Sequence, residues 1–235
     1  MDLGLAMLIC LVIFIVVGFV IFQARFAAQH WRRVIAEGDQ GALTELLDAT
    51  FETWRNGRPP KGMPPADWRA MHTAAIVAAD KDRARVSLLA EPDVRVMDGQ
   101  RVEVGNEQDV ARRAAVRMAE RLLWEVPHVS FQRVQVDVLA EFRRPDGGTD
   151  TACLLTTRVD RETASWSDWD EGAAEEILGE WDTRERLGET YADPDRDAII
   201  APEEIEAGLA VREAEAALRP RDGEDRHGYM NEDRA

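Results

Sequence analysis

The pattern of hydrophobic and polar positions begins with an unbroken apolar run of 20 residues, Leu3 to Phe22, which contains no charged side chain. A helix of that length rises about 30 Å, which is the thickness of the hydrocarbon core of a bilayer. It also satisfies its backbone hydrogen bonds internally, as lipid requires. The run therefore predicts a single transmembrane anchor, which a juxtamembrane helix continues to residue 37.

Charges beside this run predict its orientation. Arg25, Arg32 and Arg33 follow it, and Asp2 is the only charged side chain before it. A cleaved signal peptide would begin with basic residues, so an uncleaved anchor is favoured. Because basic residues stay on the cytoplasmic side, the sequence predicts a single-pass protein of the cell membrane, with its amino terminus outside and its body in the cytoplasm.

Two amphipathic helices are predicted after the anchor, because apolar residues recur there at spacings of three and four. The first runs from Asp39 to Trp54, and the stronger second one from Asn106 to Glu125. Asn106 is a good N-cap and Pro127 stops the helix. Leu122 lies on the apolar face of the second helix, so we expect it to be buried.

Alternating apolar and polar residues predict β-hairpins. The clearest pairs Val129–Phe142 with Thr151–Val159 through the turn at residues 144–148. Another pairs residues 73–79 with 84–90, although 66–79 also fits one helix. Residues 94–104 are predicted to be extended, with a turn at Asp98 and Gly99.

The order helix, hairpin, helix, hairpin predicts an α+β domain over residues 38–160, with one antiparallel sheet made of two hairpins and packed with helices. Helical patterns at Gly172–Thr190 and Pro202–Leu218 follow. They predict an acidic helical arm over residues 161–218. The polar end of the chain, 219–235, is predicted to be disordered.

The net charge of −16 lies almost wholly in the last third of the chain. From Asp160 to Ala235 the sequence has 9 arginines, no lysine and 24 acidic residues, which gives −15. An acidic segment repels nucleic acid and suits cations or basic protein surfaces. Cys10 lies inside the predicted transmembrane run and Cys153 lies in a predicted strand, so no disulfide is predicted between them. Cys153 is interpreted as a small core residue.

One loop between the two predicted arm helices carries candidate metal ligands. Asp193, Asp195 and Asp197 stand at alternating positions, and Glu204 comes seven residues after the last of them. This spacing resembles the calcium loop of EF-hand proteins, in which carboxylate oxygens at positions one, three, five and twelve bind the ion. The resemblance implies calcium as a ligand. It departs from the motif at Ala198, where a glycine normally makes the turn.

Other charged clusters favour structural interpretations. Arg113, Arg117 and Arg121 form a stripe on the second helix, which is typical of a solvated face with local ion pairs. Asp137 and Glu141 share one face of a strand, as paired carboxylates do in metal-dependent nucleases. No lysine lies near them in sequence, so we interpret them as part of a solvent-facing strand surface.

An anchor, a folded body and an acidic arm without a catalytic motif predict a membrane-anchored interaction or scaffold domain that binds another protein. Two alternatives stay open. One is a calcium-binding helical arm, and the other is an enzyme whose site is assembled from residues distant in sequence. The sequence leaves the partner and the oligomeric state undetermined.

Overall fold

The computed structural model of this chain describes residues 13–14, 40–97, 99–144, 146–169, 171–208 and 210. The chain divides into two compact units, Met1–Ile200 and Ala201–Ala235. The sheet and its helices belong to the first unit. In the second unit, residues 202–208 and 210 are helical, so the start of the predicted helix Pro202–Leu218 is helical and its end lies outside the described residues.

Two helices precede the sheet. Helix α1 spans Gln40–Asn56 and buries Leu43, Leu47 and Phe51, which lie on one side of the helix at spacings of four. Helix α2 spans Pro65–His72 and starts with a proline, whose missing N–H costs nothing in the first turn. The predicted helix over residues 39–54 is thus confirmed.

Four strands come next. Strands β1, Ala75–Ala79, and β2, Arg83–Leu89, form an antiparallel pair. The segment that allowed either a helix or a strand therefore contains helix α2 followed by β1. Strands β3, Asp93–Met97, and β4, Gln100–Gly105, form a separate two-stranded sheet.

Helix α3, Glu107–Trp124, is the central helix of the fold, as its sequence pattern predicts. The Asn106 side chain accepts a hydrogen bond from the Asp109 N–H at 2.8 Å and caps it. The helix packs against α2, β2, β5 and β6. Its apolar face is fully buried, and Leu122 has no exposed surface.

The long hairpin consists of β5, Arg133–Arg143, and β6, Thr149–Asp160, and this predicted pairing is confirmed. Two short helices follow, α4, Arg161–Ala164, and α5, Ala174–Glu180. The last strand, β7, is Asp182–Glu185 and pairs with β6.

The main sheet has the order β1-β2-β5-β6-β7. Strand β2 pairs with β5 in parallel, and the other neighbours are antiparallel. Helix α3 lies in the crossover from β2 to β5, which parallel pairing requires. The helices cover one face of the sheet, and the hydrophobic core lies between them.

The predicted fold class is right in being α+β and wrong in its sheet and in its arm. A single antiparallel sheet of two hairpins was expected, whereas the parallel β2–β5 pair makes the sheet mixed. The predicted helix Gly172–Thr190 is helical only over α5 and then turns into strand β7. Strand pairing with β6 has overridden the helical pattern there, because edge-strand hydrogen bonds depend on a tertiary neighbour.

The prediction of a membrane protein is also corrected. Within the described ranges, no helix is long and apolar enough to cross a membrane. The predicted span Leu3–Phe22 lies outside these ranges apart from Ile13 and Phe14. This finding contradicts the single-pass anchor and the cell-membrane localisation with a cytoplasmic body, and neither is retained.

Candidate functional site

The face of the main sheet opposite the helices is polar at its centre. On β5, Val134, Val136 and Val138 enter the core, so Gln135 and Asp137 lie on the other face, because side chains of a strand alternate. Such alternation normally places the polar residues in solvent. Here both polar side chains are buried, so something covers this face.

A buried ion pair forms the centre of the polar face. The Arg85 Nε donates to Asp137 Oδ2 at 2.7 Å, and each of these side chains is only 4% exposed. Asp137 Oδ1 accepts from Thr156 Oγ1 at 2.6 Å and from Gln135 Nε2 at 2.8 Å. A buried charge pair is tolerated when further hydrogen bonds satisfy it, and both oxygens of this carboxylate are satisfied.

The same pair shifts the protonation equilibrium of Arg85. Burial by itself would lower its pKa, but the Asp137 carboxylate and, beyond it, Asp195 outweigh burial and raise the pKa of Arg85 above its ordinary value. The guanidinium is therefore a permanent cation in the sheet, and it cannot act as a proton donor in catalysis.

Residues 192–200, here called the strap, cross this polar face. The Pro194 carbonyl accepts from Gln135 Nε2 at 2.8 Å and from Arg85 Nη2 at 3.1 Å. The Ile199 N–H donates in turn to Gln135 Oε1 at 3.0 Å. One glutamine side chain thus uses its donor and its acceptor to hold two points of the strap against the sheet.

Two more arginines hold the strap near its middle. The Arg196 carbonyl accepts from Arg158 of β6 at 2.8 Å and from Arg184 of β7 at 3.0 Å. Arg184 also contacts the Asp197 carboxylate at 2.5 Å. These polar bonds from the sheet fix the strap, and Ile200 at its end is buried as well.

Arg158 is the imperfect member of this network. It is buried, and its Nε and Nη2 have no hydrogen-bond partner. Nη2 lies 3.0 Å from the Asp182 carboxylate, an ion pair without hydrogen-bond geometry. The attraction offsets part of the cost of burying the charge, but these two nitrogens are left without a hydrogen-bond acceptor.

The structure gives each aspartate of the predicted calcium loop a protein partner. Asp193 Oδ1 accepts the Asp195 N–H at 3.0 Å. Asp195 pairs with Arg85 at 2.7 Å, and Asp197 pairs with Arg184. A cation would have to compete with two arginines for these carboxylates.

The other features of the loop also differ from the motif. The left-handed backbone falls at Asp197, with a φ of 58°, rather than at Ala198. Glu204 belongs to the second unit, where its Oε1 accepts the Ala201 N–H at 3.2 Å. No group of three or more His, Cys, Asp or Glu that could hold a metal is found among the residues described. The calcium site stays a prediction.

The arginine stripe on α3 is held by ion pairs. Arg117 pairs with Glu120 at 2.7 Å, a local pair as predicted. Arg113 reaches the buried Asp67 of α2 through two hydrogen bonds of 2.7 Å. The stripe therefore also ties α3 to a neighbouring element, so its role goes beyond that of a solvated surface.

The carboxylates Asp137 and Glu141 do not share a solvent-facing surface, because Asp137 is buried in the ion pair and Glu141 is exposed. The Cys153 thiol is buried as well. Burial, followed by the charge of Asp137, raises the pKa of Cys153 to about 12. The thiol is therefore protonated at neutral pH and a poor nucleophile.

The residues that sequence reasoning missed are the buried arginines of strands. Arg85 stands between Ala84 and Val86 of β2, and Arg158 stands between Thr157 and Val159 of β6. A charged residue inside a strand becomes a signal where packing buries it, because a buried charge needs a counter-charge. The identity of that counter-charge was not readable, since Asp137 lies 52 residues from Arg85.

The β3–β4 hairpin is the other unusual surface. Its two strands pair only with each other within the part of the chain that the structure describes. Five of its apolar side chains are between 40% and 71% exposed: Val94, Val96, Met97, Val102 and Val104. Single exposed apolar residues are common, whereas a cluster of them marks an interaction surface.

No family model matches the chain, and no match was found among curated proteins or solved structures.

Proposed function

We propose that this chain is a protein-binding domain and that the β3–β4 hairpin is its contact element. The observation that carries the proposal is that both faces of this two-stranded sheet, which has no other strand partner among the described residues, carry exposed apolar side chains: Val94 and Val96 on one face, Met97 and Val102 on the other. Burying one such side chain fully is worth about 1.5–3 kcal/mol. These side chains are 40–71% exposed, so a partner that covered several of them would gain part of this free energy from each, which contributes to offsetting the cost of association.

The geometry of the hairpin supports this role. A two-stranded sheet is marginally stable alone, and it gains stability from an additional strand or a packed surface. Strand β4 is exposed from Gln100 to Val104, so its backbone edge is accessible. Edge pairing supplies main-chain hydrogen bonds, and the side chains supply specificity.

The polar face under the strap argues against the enzyme alternative. Its one buried carboxylate, Asp137, is bonded to Arg85, Gln135 and Thr156. A general base must lie within hydrogen-bond reach of the proton that it removes from the substrate, whereas the Asp137 side chain is only 4% exposed and both of its oxygens face donors of the protein. The network is therefore better explained as the attachment of the strap.

Site-specific photo-crosslinking tests the proposal. A photoreactive residue at Val96, the most exposed apolar position of the hairpin, should yield an adduct of defined mass with a protein. Leu187, an exposed apolar residue in a turn of the same unit, is the matched control position. The double substitution Val94→Thr and Val102→Thr keeps the β propensity and removes apolar surface, so it should reduce the yield of the adduct.

Equal labelling at Val96 and at Leu187 would contradict the proposal, as would an adduct whose yield the threonine variant leaves unchanged. The unfolding temperature of that variant should match the parent chain, because the substituted side chains are exposed.

A further inference from the structure

We infer that the partner of the hairpin is a second copy of this chain, which pairs β4 with β4 edge to edge around a twofold axis at Val102. The inference rests on the proposed role of the hairpin in protein binding, and it specifies which protein the hairpin binds. It follows from three properties of β4: a free edge, an apolar centre and charges that complement themselves.

The free edge is the first property. Strand β4 pairs with β3 on one side, and within the described ranges no strand lies on its other side. All of its residues from Gln100 to Val104 are exposed. Strand β3 differs in that it starts at the buried Asp93 and contacts helix α2. The outer edge of β4 therefore offers unpaired N–H and C=O groups to another strand.

The charge pattern is the second property, and it selects one register. In an antiparallel pair centred on Val102, Arg101 of one copy lies opposite Glu103 of the other, and the reverse pair forms by symmetry. Opposite charges directly across a pair of strands stabilise it, and like charges destabilise it. Centring the pair on Arg101 or on Glu103 would instead place like charges at the axis.

The apolar side chains are the third property. Val96 is the cross-strand neighbour of Arg101, and Val94 is the neighbour of Glu103. On the face of the sheet that carries Arg101 and Glu103, each interchain ion pair would lie between Val96 of one copy and Val94 of the other. On the other face, Val102 would meet its own symmetry copy. Pairing the two hairpins would thus give a four-stranded sheet that carries apolar side chains on both faces, with two-fold symmetry as is usual for homodimers.

Sedimentation equilibrium of the full-length chain with matched charge variants tests this inference. The parent chain should show a monomer–dimer equilibrium. Arg101→Glu alone should weaken dimerisation about tenfold, because both symmetry-related pairs become repulsive. Glu103→Arg alone should do the same. The double variant Arg101→Glu/Glu103→Arg restores opposite charges across the axis and should recover the parent dissociation constant.

The long hairpin offers the matched control. Arg143 and Glu141 are exposed at the same two-residue spacing on β5, so Arg143→Glu should leave dimerisation unchanged. A parent chain that is monomeric at high concentration would overturn the inference. So would a dimer that is insensitive to the single variants, or a double variant that fails to recover.

Crosslinking separates this failure from failure of the proposed function. A photoreactive residue at Val102, which is exposed and lies on β4 at the proposed twofold axis, should yield an adduct with the mass of two chains. An adduct with a different protein would overturn self-pairing and leave the protein-binding role intact. The absence of any adduct at the hairpin would count against both.

Discussion

Asp137 is the residue on which the polar face of the sheet depends. Its carboxylate neutralises Arg85 and also accepts the hydroxyl of Thr156, and both charged side chains lie out of solvent. Removing one partner of such a pair leaves the other charge unpaired in a medium of low dielectric constant. The consequence is therefore larger than the loss of one hydrogen bond.

We expect Asp137→Ala to lower the free energy of unfolding by about 3–5 kcal/mol, because Arg85 would be left buried without its main counter-charge. Urea denaturation measures the change. Glu141→Ala, at an exposed position of the same strand, is the control and should stay within about 0.5 kcal/mol. The apolar double variant Arg85→Met/Asp137→Leu should cost less than Asp137→Ala. If Asp137→Ala cost no more than the control, the pair would not matter for stability.

Asp160 shows how a single cap makes stability depend on pH. Its carboxylate accepts the Thr163 N–H at 2.8 Å at the start of α4. This backbone hydrogen bond, ahead of the other contributions, lowers the pKa of Asp160 below its ordinary value. With the folded pKa below the unfolded one, the group stabilises the fold above its unfolded pKa of about 3.9. That stabilisation is lost as the pH falls through the folded pKa.

Asp160→Asn isolates this effect, since asparagine also caps helices but does not titrate. The free energy of unfolding of the parent chain should fall more steeply below about pH 4 than that of the variant. Denaturant titrations at several pH values measure both slopes, and identical profiles would refute the assignment.

Strand β7 and the strap are the elements whose role differs most from the sequence-based prediction. They fall in residues 161–218, which were predicted to be a helical arm. In the structure, β7 pairs with the edge of β6, and the strap covers the buried ion pair. Trp181, just before β7, is buried in the same core as α3. The segment thus completes the sheet that the residues before 160 begin.

The domain predicted over residues 38–160 lacks β7 and the strap, and the packing leads us to expect that it is incomplete by itself. A fragment of residues 40–200 should unfold cooperatively in urea. The fragment 40–160 should unfold at a lower urea concentration with a broader transition, because it lacks β7, exposes the β6 edge and uncovers Arg85. Equal transitions for the two fragments would show that the strap adds nothing to stability.

At the scale of the whole molecule, the uneven charge of the sequence becomes an internal pairing. Acidic residues after 160 neutralise arginines on earlier elements. Glu185 binds Arg112 of α3 at 2.7 Å, and Asp195 binds Arg85 of β2 at the same distance. Part of the acidic segment therefore acts as a counter-charge inside the first unit, rather than as a free arm for external cations or basic partners.

The sequence by itself determined the elements whose signals are local. Helix α3, its Asn106 cap, the buried Leu122 and the long hairpin were readable from periodicity, capping and turn chemistry. These features depend on residues a few positions apart. The α+β class follows from their order.

Only the tertiary structure decided the rest, because it depends on residues far apart in the chain. The parallel β2–β5 pairing joins segments separated by β3, β4 and α3. The alternating pattern of β5 fits a solvent-facing strand equally well, whereas in the fold the strap lies across its polar face, which is buried. The sequence of the exposed β4 has the same alternating pattern as that of a buried strand, since local alternation does not show whether a neighbouring strand is present. Burial is a property of the partner surface, and the candidate interaction site was therefore found only in the fold.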